Sequence, residues 1–209
     1  MTLIVSLGFI CLRSQDPDTT RISSRPTRRE SQAHTRRRLI EAAKSAFREY
    51  GFHRASAESL AASAGYTRGA LYANFDGKEG LFLAVLDEEV AARRTVLVQS
   101  RDLETLARRY RTLLDEDPGW TLALLEFTIH AARHPELAEQ LTARNVELRA
   151  SIAESLLERD PELSPQNAET AAKLAMAINT GVALERALDT NAAGERELTR
   201  AYAAALWPG

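Results

Sequence analysis

Residues 64–80 read AGYTRGALYANFDGKEG, placing Gly65, Gly69, Gly77 and Gly80 in a stretch otherwise made of helix formers and apolar residues. Glycine costs about 1 kcal/mol against alanine inside a helix, so this density marks a backbone that turns sharply or lies close to something. The flanking pattern shows where the turns fall. In TRRRLIEAAKSAFREYG (35–51), Leu39, Ala43, Ala46, Phe47 and Tyr50 recur at three- and four-residue intervals, the stripe of an amphipathic helix, and Gly51 stands where a C-terminal cap belongs. Ser56 offers an N-cap for a second helix through ESLAASA, and Thr67 another for a short third helix running to Phe75. Asp76-Gly77-Lys78-Glu79 has the D-x-x-E form of a capping box and opens a longer fourth helix.

Three helices within about 40 residues, the last two joined by a tight glycine turn, make a helix-turn-helix arrangement. Gly65 supplies the turn and Gly77 sits beside a cap, whereas Gly69 falls inside the third helix. At 3.6 residues per turn Leu71 and Phe75 share one face, with Gly69 and Ala73 opposite. That bare line is flanked by Arg68 and Tyr72 on one side and Asn74 on the other, a surface able to approach a groove closely. Gly80 has no explanation at this level.

Alanine and leucine are abundant among the 209 residues and β-branched runs are scarce, which predicts an all-α protein. Residues 21–80 carry a net charge of +6 and residues 81–209 one of −7, so a basic N-terminal part is joined to an acidic remainder. One end is therefore expected to meet a polyanion, unless the asymmetry is only uneven surface solvation. A single cysteine, Cys11, excludes an internal disulfide framework and fits a reducing, cytoplasmic compartment. The apolar start MTLIVSLGFICL is too short to span a bilayer and lacks the flanks of a secretory signal, so no membrane association is expected. It reads as a tail or as a start placed too far upstream, and residues 1–30 as a disordered arm.

Beyond residue 81 the pattern predicts amphipathic helices at 78–99, 102–115, 119–132, 135–159, 166–189 and 195–206, punctuated by Pro118, Pro135, Pro161, Pro165 and Gly194. No nucleophile elbow, phosphate loop or metal-ligand cluster is present, which argues against an enzyme and against a cofactor or metal. His130 and His134 have the spacing of a helical metal pair, but a position before Pro135 suits complementation of a helix C-terminus better.

The ordered set Leu39-Ile40-x-Ala42-Ala43, Phe47, Gly51-Phe52, Ser56, Leu60-Ala61, Ala64-Gly65, Thr67, Gly69, Leu71-Tyr72, Phe75, and Lys78-Glu79 with Leu81 resembles the tetracycline-repressor (TetR) family of bacterial transcriptional regulators. Tyr66 departs from it mildly, in a position more often aliphatic, and the leading tail is unusually long. The resemblance implies an N-terminal three-helix helix-turn-helix DNA-binding domain (31–80), joined by a long helix to a helical ligand-binding and dimerisation domain (81–209). It also implies a homodimer on a palindromic operator, repressing until a small-molecule effector releases it. An activator of the same fold, or a helical adaptor whose basic end binds acidic partners, are the alternatives.

On that reading the third helix enters the major groove of double-stranded DNA. Arg68 is the base-reading candidate, its guanidinium able to donate two bonds to guanine, although it also fits a solvated surface charge. Tyr72 and Thr67 suit phosphates, as does Lys78 in the first turn of the fourth helix. Arg36 and Arg37, in a basic run with Arg28, Arg29 and Arg38, suit the backbone, with Arg28 and Arg29 reaching a minor groove. Ser56, Gly69 and Asn74 complete the DNA-facing set. Trp120, Leu124, Phe127 and His130 lie at helical spacing near where the family keeps its effector cavity, or are plain core. Ala171, Ala175, Ile178, Val182, Leu198 and Tyr202 form a stripe suited either to packing within the domain or, as the family arrangement implies, to a four-helix dimer interface. The lever between effector and DNA is expected to be helix four, carrying Lys78 at one end and Leu81 to Val98 in its body.

Overall fold

A computed structural model describes residues 27–98, 103–192 and 194–206. Among them are nine helices and no strand: α1 (Arg28–Arg54), α2 (Ala57–Ser63), α3 (Arg68–Tyr72), α4 (Gly77–Val98), α5 (Leu103–Glu116), α6 (Pro118–Ala131), α7 (Pro135–Arg159), α8 (Pro165–Leu188) and α9 (Glu195–Leu206). The first twelve residues and most of the expected arm lie outside the described residues.

α1 begins well before residue 35. Thr27-x-x-Glu30 closes a capping box, in which the Thr27 hydroxyl accepts from Glu30 N (3.3 Å) and the Glu30 carboxylate accepts from Thr27 N (2.7 Å). Arg28 and Arg29 therefore stand on a capped helix and not on a flexible arm. At the other end Gly51 adopts φ +76°, outside the helical region, and breaks the main run of α1 as expected of a cap, after which a further turn carries Phe52 into the core.

Proline occupies the first helical position of α6, α7 and α8, where its missing N–H costs nothing, and Asp117 and Ser164 cap α6 and α8. The capping box expected at Asp76 is replaced by another arrangement. Gly80 N donates to the Asp76 carbonyl (3.0 Å), and the Glu79 carboxylate faces His130 Nε2 across 3.5 Å.

Two buried clusters organise the chain. The first joins α1, α2, α3 and the first turns of α4 with Trp120, Ala123, Phe127 and Ala131 of α6 and Leu141 of α7. Its centre is aromatic: Phe82 stacks on Phe127 at 4.2 Å and on Trp120 at 5.2 Å, and meets Phe47 and Phe52 edge-on. This core spans both sides of residue 80, so the expected head and body share it. The second cluster packs α7, α8 and α9 through Leu156, Ala168, Ala171, Ala175, Leu198 and Tyr202. Burial raises the Tyr202 phenol above its ordinary range, and its hydroxyl donates to Asn179 Oδ1 while that of Tyr110 donates to the Asn179 carbonyl (2.9 Å).

Candidate nucleic-acid interface

The helix-turn-helix is built on α2 and α3. Ser56 and Ser59 cap α2 reciprocally, Ser56 Oγ accepting from Ser59 N (3.1 Å) and Ser59 Oγ accepting from Ser56 N (3.0 Å). Gly65, at φ +79°, turns the chain, and Tyr66 N closes the turn on the Ala61 carbonyl at 2.9 Å. Thr67 then caps α3, accepting from Ala70 N at 3.4 Å. Inward, Leu71 and Phe75 are buried; outward, Arg68, Gly69, Tyr72 and Ala73 are exposed. A Cβ built on Gly69 would meet only the Thr67 hydroxyl, at 3.8 Å, so the bare line faces open space.

Arg68 is held at the edge of that line. Its Nη1 lies 2.6 Å from Glu58 Oε1 on α2, its Nη2 reaches the Tyr72 hydroxyl at 3.5 Å, and its guanidinium carbon sits 5.2 Å from the Tyr72 ring centre. Arg36 lies over the Phe75 ring at 4.6 Å, and Arg36 and Arg37 are both exposed on α1.

Two expected contacts turn inward. Lys78 Nζ donates to the Phe52 carbonyl (3.0 Å) above the Phe52 ring, and burial lowers its pKa, so the ammonium serves the end of α1. Asn74, just past the end of α3, folds back on that helix, Nδ2 donating to the Ala70 carbonyl at 2.8 Å, with Oδ1 buried and unpartnered. Glu58 went unnoticed in the sequence, because its pairing with Arg68 exists only once the turn is made.

The four residues expected at an effector cavity sit at the joint between α6 and the head. Trp120 and Phe127 are fully buried in the aromatic cluster and Leu124 packs against it. His130 lies among Phe52, His53, His134 and Glu79, and burial, with the neighbouring His134, lowers its pKa. The plain-core alternative describes their surroundings.

Sequence reasoning missed the polar half of this joint. Arg48 Nε donates to Asp117 Oδ2 (2.7 Å) and its Nη2 to Glu89 Oε1 (2.9 Å), tying α1 to the N-cap of α6 and to α4, with Lys44 also on Glu89. Glu126 Oε2 accepts from His53 N at 3.0 Å. No sequence period links residues so far apart. Among the described residues no group of His, Cys, Asp and Glu is arranged to hold a metal ion, and no helix is long and apolar enough to cross a membrane.

The stripe on α8 and α9 is largely taken up by packing within the subunit, the alternative open to it from the start. Ala171, Ala175, Leu198 and Tyr202 are buried in the subunit's own second core, and Ile178 and Val182 pack against it. What α8 presents outward is Leu174, Ala177, Gly181, Leu184 and Leu188, alternating at three and four residues.

A short, capped helix stripped of side chains along its outer line, standing on a bundle with a basic flank, has the build of a helix-turn-helix transcriptional regulator. Residues 39–85 match the family described as bacterial regulatory proteins, tetR family, and residues 101–209 match the tetracyclin repressor-like C-terminal domain. The chain belongs to the tetR family. It is 26% identical to the HTH-type transcriptional regulator UidR of Escherichia coli K12 over 155 residues, 71% of this chain and 79% of that one. It is 27% identical to the HTH-type transcriptional repressor Rv1474c of Mycobacterium tuberculosis over 124 residues, 59% of this chain and 65% of the relative's length. Among solved structures, Salmonella enterica GusR superposes with a TM-score of 0.67 at 23% identity, covering 83% of this chain and 95% of that one. Both curated relatives carry the name of a transcriptional regulator or repressor.

Proposed function

We propose that the chain is a homodimeric repressor that reads a palindromic operator through α3 and leaves it when a small-molecule effector binds. The observation that carries DNA reading is the outer line of α3, with Gly69 and Ala73 bare and Arg68 and Tyr72 raised beside it. Arg68 contributes base recognition, Tyr72 and the capped end at Thr67 hold phosphates, and Arg36 and Arg37 add charge along the backbone. The repressor names of relatives such as Rv1474c favour repression.

The outward leucines of α8 support dimerisation. Leu188 is 85% exposed and Leu184 53%, in a stripe whose alternation suits a second helix crossing it. A two-fold pair would set two α3 helices on half-sites one DNA turn apart, about 34 Å. Effector release then runs through α6, because Glu126, His130 and Asp117 on and beside it touch α1 and α4 directly. An effector releases DNA only by binding the non-operator geometry more tightly.

Fluorescence anisotropy against duplexes from the flanking DNA, with scrambled controls and a salt series, tests the reading. A salt-sensitive preference for one palindromic duplex, lost in Arg68→Ala at one base position, is expected. Equal binding to every duplex would defeat it.

A further inference from the structure

We infer that Glu58 is a positioning residue for operator selectivity, holding Arg68 where it can serve a base and not a phosphate. The inference rests on the reading that α3 faces DNA. Arg68 is a long, exposed side chain, yet both sides of its guanidinium are engaged: Glu58 Oε1 takes Nη1 at 2.6 Å, and Tyr72 supplies a ring face and a hydroxyl. Glu58 belongs to α2 and Tyr72 to α3, so the clamp bridges the two helices of the reading unit.

A guanidinium carries five N–H donors in a fixed fork. Glu58 and Tyr72 occupy two of them, and the three left are enough for the two bonds that recognise guanine. Arg68 therefore does not have to leave Glu58 in order to read. An unclamped arginine on this edge would swing to whichever phosphate lay nearest, adding affinity for every sequence alike. Clamped, it loses that option and avoids the entropic cost of being immobilised on the correct base. Both effects widen the gap between operator and random DNA, by weakening the second and strengthening the first.

The carboxylate itself has an ordinary cost, since it stands near DNA and repels phosphate. That cost falls on every duplex equally and leaves no mark on selectivity. The two roles therefore separate experimentally.

The test is a cycle of Glu58→Gln, Arg68→Ala and the double variant, each titrated by anisotropy on operator and scrambled duplexes at several salt concentrations. Glu58 and Arg68 are 58% and 60% exposed, so all three variants should melt with the parent chain. Glu58→Gln is expected to lower the operator-to-scrambled affinity ratio about tenfold, mainly through tighter scrambled binding, whose salt slope steepens by about one contact. In the Arg68→Ala background the same substitution should leave the ratio unchanged. Equal shifts on both duplexes, or an equal change of ratio with and without Arg68, would show that Glu58 acts only as a charge and overturn the inference. A parent chain without preference for any duplex would instead remove the DNA-reading assignment, and this inference with it.

Discussion

Gly119 of α6 lies directly against the main-chain carbonyl of Arg48 in α1, so close that a Cβ on Gly119 would stand 2.2 Å from that oxygen. Glycine here allows two helix backbones to touch. Alanine would gain up to about 1 kcal/mol of helix propensity, yet would drive α6 away from α1. Gly119→Ala should lose about 1–3 kcal/mol in urea unfolding, the usual cost of overpacking. Gly181→Ala is the contrast, because a Cβ there meets nothing within 4 Å and the propensity gain should survive in the monomer.

Arg48→Met should cost about 1–3 kcal/mol, since Glu89, only 6% exposed, would lose one of the cations that neutralise it. The same variant should move acid unfolding. Burial alone would raise the Glu89 carboxyl, but hydrogen bonds from Lys44 and Arg48 outweigh it and hold the pKa below 4.5. Its stabilisation is present above that value and is lost as pH falls through the depressed one. Without Arg48 the carboxyl protonates sooner, so acid unfolding followed by circular dichroism should begin at a higher pH.

His130 makes a separate prediction. Its pKa is lowered from 6.5 by burial and by His134, with Glu79 opposing, so the unfolded chain binds the proton more readily. Stability should decline as pH drops from above 6.5 through the lowered value, and His130→Gln should flatten that part of the profile. Urea midpoints measured across this window in both proteins decide it.

Leu184→Glu should disrupt the proposed dimer without unfolding the subunit, because this side chain stands outside the second core. Sedimentation equilibrium is expected to show monomers, with far-UV circular dichroism unchanged. A dimer of undiminished strength would place the interface elsewhere. Leu198→Ala, by contrast, should destabilise the subunit itself by about 2–5 kcal/mol, as for any fully buried leucine.

What the sequence disclosed was what is local. Caps, prolines and three-to-four spacing placed the helices and the glycine turn within a few residues, because each signal acts within one helical turn. The Thr27-x-x-Glu30 box was equally local and was passed over beneath the arginine run. Contacts across the fold were not legible: Arg48 and Asp117 are 69 residues apart, and nothing in either segment names the other. On α8 the spacing revealed a stripe but not its direction. Ala168, Ala171 and Ala175 turned inward, where small side chains let α7 and α9 approach, and Leu174, Leu184 and Leu188 turned out.

The stack of Phe82 on Phe127 and Trp120 limits how such a regulator can be re-engineered. A head transplanted from a relative by cutting within or after α4 would arrive with its aromatic wall facing a foreign α6. Exchanging operator specificity by grafting therefore means carrying the inner face of α6, from Trp120 to Ala131, along with the head, or leaving the scaffold intact and rewriting only the outer line of α3.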